Sequence, residues 1–477
     1  MTDPARTAAI VLAAGAGSRF GGGKLLAPLD GRPILDHVLA VARGAGLARI
    51  IVVLGDSAAE IGSALDLAGV ETVVNPDPAS GLSSSLRIGL GLVAAANAVA
   101  SDDGVDAVLV LLGDQPLVRP DVIRALLDAT VPAGCSIVIP RYIDGGTNPA
   151  LLLRDAWPLT ATLIGDRGMG PVIAAHPDLV VEVPIDADNP DIDTRADLAL
   201  AAWATRVRAN REQVDRIREV GDGDFYAGGT SLFVVDPRRS DADDPTLAAL
   251  RSLARPGQRW LDVGAGAGRY ALPLALTVSP ADVTAVEVSP GMLGALRDGM
   301  TSSGIDNVRI VEGRWPAAAE DARGGGPTRW ADRALIAHVG YDVEAIGPFI
   351  DALEAAAQTC VAVMMDRTPA SVAEPFWPPV HGEARAALPA MPEFVELLRA
   401  RGRTPEVRTV ERVVRDYADR DQVLGLLRRQ TWVAPDGEKD RRLQAMLDDR
   451  LVERPGGTVG LRDTPDLTVG IVTWTGA

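Results

Sequence analysis

The residues with the most chemistry in this chain of 477 residues fall into two glycine-rich clusters. The first is Ile10–Leu26, IVLAAGAGSRFGGGKLL, with five glycines within nine residues and Lys24 at its close. Glycine loops let backbone N–H groups approach an anion, because no Cβ stands in the way. Lys24 and Lys439 are the two lysines among 47 Lys+Arg. A chain that otherwise takes its positive charge from arginine has a compact ammonium on a flexible stem here. The predicted chemistry is phosphate binding. Further on, AVLVLLGDQPLVRPD brings Asp114 to the end of an apolar run. One or two carboxylates beside bound phosphates are what Mg²⁺ uses.

Two more segments of the first half carry polar residues of this kind. NPDPASGLSSSLRIGL offers serines and Arg87 at a helix start, either as donors to a base or phosphate or as ordinary caps. NPDIDTRADL places Asp191 and Asp193 before a helix, either as a second metal carboxylate or as helix caps.

The second cluster is QRWLDVGAGAGRYALPLAL, with Asp262, Gly264, Gly266 and Gly268 at alternate positions. That spacing is neither a P-loop nor a GxGxxG dinucleotide fingerprint. Glu287 ends the next strand, about 20 residues on, where an acid accepts ribose hydroxyls. Glu312 ends the strand after that, in reach of an adenine edge. His338, near the same cleft, is either a base or a packing residue.

Both clusters need parallel sheets to hold them. Strand and helix patterns alternate: an opening strand into the first loop, a helix from Pro33 to Gly44, a strand at 48–55, a helix at 58–67 and a strand at 70–75. This predicts an α/β chain with helices on both sheet faces. In the second half, strands over 283–287, 307–315, 333–342 and 359–366 follow the glycine loop. VRTVERVV and LTVGIVTWT form a terminal antiparallel pair, and a helical insertion spans about 417–451. The domain boundary is expected near 203: residues 1–202, then 203–477 with a helical lead-in over 203–245 that GDGDFYAGG interrupts.

Composition narrows the class. The net charge is −17, and residues 1–200 carry −11 of it against −6 in the remainder. Neither half suits a nucleic-acid polyanion. Two cysteines, Cys135 and Cys360, lack CxxC spacing and read as buried thiols. MTDPART is not a signal peptide, and no apolar run of the length a membrane span needs stands out. The expected location is the cytoplasm, with neither nucleic acid nor membrane as partner.

LAAGAGSRFGGGK, the NPDPASGLSSSL loop, LLGDQP and DIDTRADL together resemble the molybdenum cofactor nucleotidyltransferases, most closely the cytidylyltransferases, over about residues 7–202. The resemblance implies a nucleotide-diphospho-sugar transferase-like fold. It implies that the loop from Ala13 through Gly15, Gly17 and Arg19 to Lys24 holds an NTP triphosphate. Asp114, with Asp193 second, would hold Mg²⁺, and Ser83 to Arg87 would lie near the base or acceptor. Lys24, Arg19 and Asp114 would be the catalytic groups. LAAG in place of LAGG favours CTP over GTP. Asn148 stands where a histidine is common, which leaves the acceptor open between the molybdenum cofactor and a sugar or other phosphate. Molybdoenzyme maturation proteins would be partners. Residues 210–477 resemble class I S-adenosylmethionine-dependent methyltransferases, with a seven-stranded sheet. There Asp262, Gly264, Gly266, Gly268, Glu287 and Glu312 would bind S-adenosylmethionine, with the methyl acceptor undefined. A regulatory protein with inactive nucleotide sites is the rival from another class.

Overall fold

The computed structural model describes residues 1–477 except 100–103, 144, 222–229, 231–232, 411–415, 466 and 477. The chain divides into two compact units, Met1–Ala201 and Ala202–Ala477. The predicted GDGDFYAGG break and the end of VRTVERVV lie largely outside the described residues.

Unit 1 is built on strands β1 (Thr7–Ala13), β2 (Pro28–Leu29), β3 (Arg32–Pro33), β4 (Arg49–Leu54), β5 (Glu71–Val74), β6 (Ala107–Leu112), β7 (Ile137–Arg141), β8 (Ala150–Leu153) and β9 (Val180–Pro184). Strands β2 and β3 form a separate hairpin, and the other seven make one sheet in the order β5-β4-β1-β6-β8-β7-β9. All neighbours are parallel except β8, which runs antiparallel to both β6 and β7. β1 is buried at every position. Its alternate residues feed opposite cores: Ala8, Ile10 and Leu12 on one face, Ala9, Val11 and Ala13 on the other. A period of two with both faces covered is why the strand reads as one apolar run. Because β1 has β4 on one side and β6 on the other, the crevice where the winding reverses opens at its carboxyl end.

The helix Leu82–Val99 corrects the expectation that no segment reaches the length and apolarity of a membrane span, because by composition it does. In the fold its buried face packs on the sheet, and a Cβ on Gly89 would lie 2.6 Å from Ile10 Cγ2. The helix over 58–67 is also shorter than expected: it covers Ala58–Ala64, after which Leu65 turns extended.

Unit 2 contains β10 (Trp260–Val263), β11 (Val283–Glu287), β12 (Val308–Glu312), β13 (Ala331–Ala337), β14 (Ala357–Met365), β15 (Glu406–Val410), β16 (Leu451–Glu453), β17 (Val459–Leu461) and β18 (Val469–Thr475). Its seven-stranded sheet has the order β12-β11-β10-β13-β14-β18-β15. β18 is antiparallel to both β14 and β15, so the expected terminal antiparallel pair is present. The winding reverses at β10, which puts a second crevice at the end of that strand.

The helical insertion is two helices, Arg420–Thr431 and Glu438–Arg450, separated where Trp432 takes a left-handed φ of 58°. The strand pair β16–β17 follows. Asp440, fully buried, joins the two helices by accepting from Arg428 Nε at 2.7 Å and Nη2 at 2.6 Å. A buried charge needs this full pairing to be tolerated. Cys360 is buried as expected, whereas Cys135 is only partly so.

Candidate functional sites

In unit 1 the chain leaves β1 through Ala14 to Gly23, where Gly17, Gly21, Gly22 and Gly23 all have φ between 57° and 93°. L side chains rarely adopt that region, so the glycines are needed to turn the chain tightly. Gly17 has a second reason: a Cβ there would lie 3.1 Å from Lys24 Cβ, against the lysine stem. The stem therefore runs along bare backbone. Gly55, at the end of β4, would bring a Cβ within 2.4 Å of the Ala14 carbonyl, so the strand end presses on the loop.

Lys24 Nζ lies 2.7 Å from Asp114 Oδ2 and 2.9 Å from Asp193 Oδ1. Arg19 Nη1 takes the other oxygen of Asp193 at 3.0 Å. Four residues from three segments far apart in sequence thus converge at the carboxyl ends of β1 and β6. Burial disfavours the Lys24 ammonium, but Asp114 and Asp193 outweigh it and raise its pKa above the ordinary lysine value. The same lysine, through its hydrogen bond, holds Asp193 below the usual carboxylate range. Asp191 shifts the other way: burial raises it and the neighbouring Asp114 adds to that, while a hydrogen bond from Gln115 opposes them.

The helix that follows is capped by other residues. Thr194 and Asp197 form a reciprocal cap, with Thr194 N donating to Asp197 Oδ2 at 2.7 Å and Asp197 N to Thr194 Oγ1 at 3.2 Å. Asp191 and Asp193 are thereby left to the site. The TRAD sequence carried that signal, and the preceding aspartates drew attention from it.

A further network sits behind Asp114. Ile192 N donates to the Asp114 carbonyl at 3.0 Å. Asn189 Nδ2 donates to Gln115 Oε1 and to the Asn148 carbonyl, both at 3.2 Å, and Gln115 Nε2 returns a bond to the Asn189 carbonyl at 3.3 Å. Asn148, singled out for its type, thus contributes its backbone. Asn189 and Gln115 are positioning residues inside the quoted NPDIDTRADL and LLGDQP stretches, where the neighbouring aspartates carried the chemical signal.

Other expected contacts fall elsewhere. Ala13 is in the core, with the glycine of the next strand end, Gly113, packed against its Cβ. Arg87 spends a guanidinium N–H on the Leu163 carbonyl at 2.7 Å. Ser83 is buried with its hydroxyl unpartnered. Ser84 and Ser85 accept from Asn75 Nδ2 at 2.7 and 3.0 Å, so those two serines hold the loop. Gly15 and Lys24 line a cavity of about 190 Å³ with Asp56, Ser57 and Glu60.

Among the described residues no group of three or more His, Cys, Asp or Glu is arranged to hold a metal ion. Mg²⁺ does not need such a cage, because it keeps waters and takes one or two carboxylates plus phosphate oxygens. Asp114 and Asp193, converging on one ammonium, fit that donor set.

In unit 2, β10 delivers Asp262 and the glycine loop to a cavity of about 370 Å³. Gly264, Gly266 and Gly268 have φ of 72°, 57° and 85°. A Cβ on Gly264 would strike Val339 at 2.5 Å, and one on Gly268 would strike Leu296 at 2.6 Å. At Gly266 the nearest atom is 4.0 Å away, so this glycine leaves its bare face to the cavity. Glu287 accepts from the backbone N–H of Gly266 at 2.7 Å and of Val288 and Ser289 at 2.8 Å each. Three amides fix the carboxylate at the end of β11.

Glu312 is not brought to this cavity. Its exposed carboxylate pairs with Arg297 on the outside of the strand, and Gly313 and Arg314 line the wall in its place. Glu312 has the same parity on β12 as Val308 and Ile310, which pack in the core of unit 2, but its carboxylate is held by Arg297 of the helix Pro290–Ser303. His338 lines the cavity with a left-handed φ of 58°, at the end of β13.

Asp262 is almost wholly buried, with Oδ1 unpartnered. Burial and then the Glu287 charge push its pKa up to about 7, against an opposing bond from the Ala271 amide. A folded pKa above the unfolded value means the native state binds more protons between about pH 4 and 7. This carboxylate therefore costs stability as pH rises through that window. Asp262→Asn is expected to unfold at a higher temperature than the parent at pH 8, by about 2–4 kcal/mol of stability, with the gap closing by pH 4. Thermal melts across pH check this, and a constant gap would refute it.

Residues 9–180 match the family described as the MobA-like NTP transferase domain, and residues 261–323 the family described as the methyltransferase domain. Among curated proteins, "Bifunctional protein GlmU" of Burkholderia ambifaria is 31% identical over 164 residues, 34% of this chain and 34% of that protein. The chain thus spans about a third of that relative's length. Among solved structures, Rv0371c from Mycobacterium tuberculosis H37Rv is 31% identical with a TM-score of 0.35, covering 41% of this chain and 96% of that one. A SAM-dependent methyltransferase from Thiobacillus denitrificans, in complex with S-adenosyl-L-homocysteine, is 17% identical with a TM-score of 0.32. It covers 53% of this chain and 98% of that one.

Proposed function

We propose, for a chain that joins a MobA-like NTP transferase domain to a methyltransferase domain, that the first half transfers CMP from CTP to a phosphate acceptor, the molybdenum cofactor. The second half then transfers a methyl group from S-adenosylmethionine. The observation that carries the first reading is the meeting of Lys24, Arg19, Asp114 and Asp193 at the crevice between β1 and β6. A terminal phosphate oxygen of the acceptor attacks the α-phosphorus of the NTP, the α–β bridging bond breaks, and pyrophosphate leaves with its electron pair. Positioning and charge neutralisation are the whole task. The loop amides of Gly15 and Gly17 would hold the triphosphate, Lys24 and Arg19 would neutralise developing charge, and Asp114 and Asp193 would hold Mg²⁺, which would supply further positive charge to the phosphates.

In unit 2, Glu287 is oriented by three amides to accept both ribose hydroxyls, and the bare face of Gly266 admits the ligand backbone. S-adenosylmethionine would supply the electrophilic methyl carbon, and His338 lines the same cavity.

A screen of the four NTPs for pyrophosphate release, with the molybdenum–pterin cofactor as acceptor, tests the first reading. Release with CTP and cofactor is expected. A sugar 1-phosphate in place of the cofactor tests the second reading, which the shared LAAG-x-G-x-R loop and the departure at Asn148 support. Release from neither acceptor would reject nucleotidyl transfer.

A further inference from the structure

The catalytic ammonium and the carboxylates assigned to the metal are in direct contact. Lys24 Nζ uses two of its three N–H donors on Asp114 Oδ2, at 2.7 Å, and Asp193 Oδ1, at 2.9 Å. A divalent cation bound through those oxygens would stand within a few ångströms of the ammonium. Two cations so close in a partly desolvated site repel strongly. The lysine side chain is 10% exposed, so water screens this little. Arg19 adds a second positive charge, on the far oxygen of Asp193.

The stem allows the ammonium to leave. Lys24 begins a short helical turn after Gly23, and its Cβ and Cδ run against the bare backbone of Gly17 rather than a side chain. Four flexible carbons suit a charge that must occupy two places, which an arginine fork suits less well. In a chain that holds 47 Lys+Arg and only two lysines, that difference explains the residue type here.

We propose that Lys24 is a resident counter-ion that competes with the divalent cation for Asp114 and Asp193. The ammonium yields the carboxylates and moves to the nucleotide phosphates. This rests on the nucleotidyltransferase reading of the site. It makes a prediction opposite in sign to that of a lysine that only aids catalysis: removing the ammonium tightens metal binding in the protein without nucleotide.

The probe is Mn²⁺, titrated into the full chain without nucleotide and followed by the electron paramagnetic resonance of the free ion. Lys24→Met is expected to bind Mn²⁺ about tenfold or more tightly than the parent, because the competing charge is gone. Lys24→Gln, which keeps a hydrogen-bond donor to the carboxylates, is expected to behave alike and guards against a Met variant that fails to fold. Adding Asp114→Asn to either variant is expected to abolish the gain. Neutral variants that bind Mn²⁺ no more tightly than the parent would overturn the proposal. Failure of the nucleotidyltransferase reading would look different: no NTP-dependent pyrophosphate from the parent, with the order of Mn²⁺ affinities kept.

Discussion

Lys24→Ala is expected to lower nucleotidyl transfer by about 10²–10³-fold, the usual cost of removing one preorganised stabiliser of developing charge. Among the described residues, the lysine is the one that touches both candidate metal carboxylates, and it lies at the end of the glycine loop. Its loss removes charge from the phosphates and leaves Asp114 and Asp193 close together without their shared partner. The loss should appear mainly in kcat, because the charge it neutralises develops in the transition state. Lys24→Arg should not restore the rate, since a planar fork cannot take the place of the compact ammonium between Asp114 Oδ2 and Asp193 Oδ1. Steady-state pyrophosphate assays on both variants check this, and parental rates would remove Lys24 from the mechanism.

The second large effect is expected at Glu287. Its carboxylate accepts from the amides of Gly266, Val288 and Ser289, and so also orders the glycine loop. Glu287→Ala removes the acceptor for two ribose hydroxyls and leaves three amides without their partner. Hydrogen bonds to a charged group contribute about 1.5–3 kcal/mol each, so S-adenosylmethionine affinity should fall by about 100-fold or more. Glu287→Gln keeps the shape and one acceptor oxygen, and should lose less. Calorimetry with S-adenosylmethionine measures both. Equal affinity in the parent and Glu287→Ala would place the ligand elsewhere. Glu312→Ala is the contrast, with little effect expected, because its carboxylate pairs with Arg297 outside the cavity.

The alternation of apolar strands and glycine-ended helices was enough to expect two parallel sheets, and both have their glycine loops at the strand where the winding reverses. The site was legible where chemistry dictates residue type. One of only two lysines in a chain that otherwise uses arginine, a carboxylate ending a buried strand and an acid ending the second strand of unit 2 each stand out locally. Asn189 and Gln115 were not legible, because their roles come from contacts across more than seventy residues of sequence. Glu312 lies away from the cavity because of its ion pair with Arg297, fifteen residues earlier, which nothing at the strand end signals. Asp191 and Asp193 stayed ambiguous until Thr194 and Asp197 were seen to cap the helix between themselves. Arg87 and the serines near it were polar residues of a suitable kind, but the fold uses Arg87, Ser84 and Ser85 to hold loops.

Lys24, Asp114 and Asp193 are proposed to form one nucleotidyl-transfer centre. Its most direct test follows label from α-phosphate-labelled CTP into the molybdenum–pterin cofactor, with Mg²⁺, in the parent and in Asp114→Asn. The parent is expected to transfer label with one pyrophosphate released per CMP joined, and Asp114→Asn to transfer about 10²-fold less or none. Equal transfer by the parent and Asp114→Asn, or pyrophosphate released without labelled product, would contradict it.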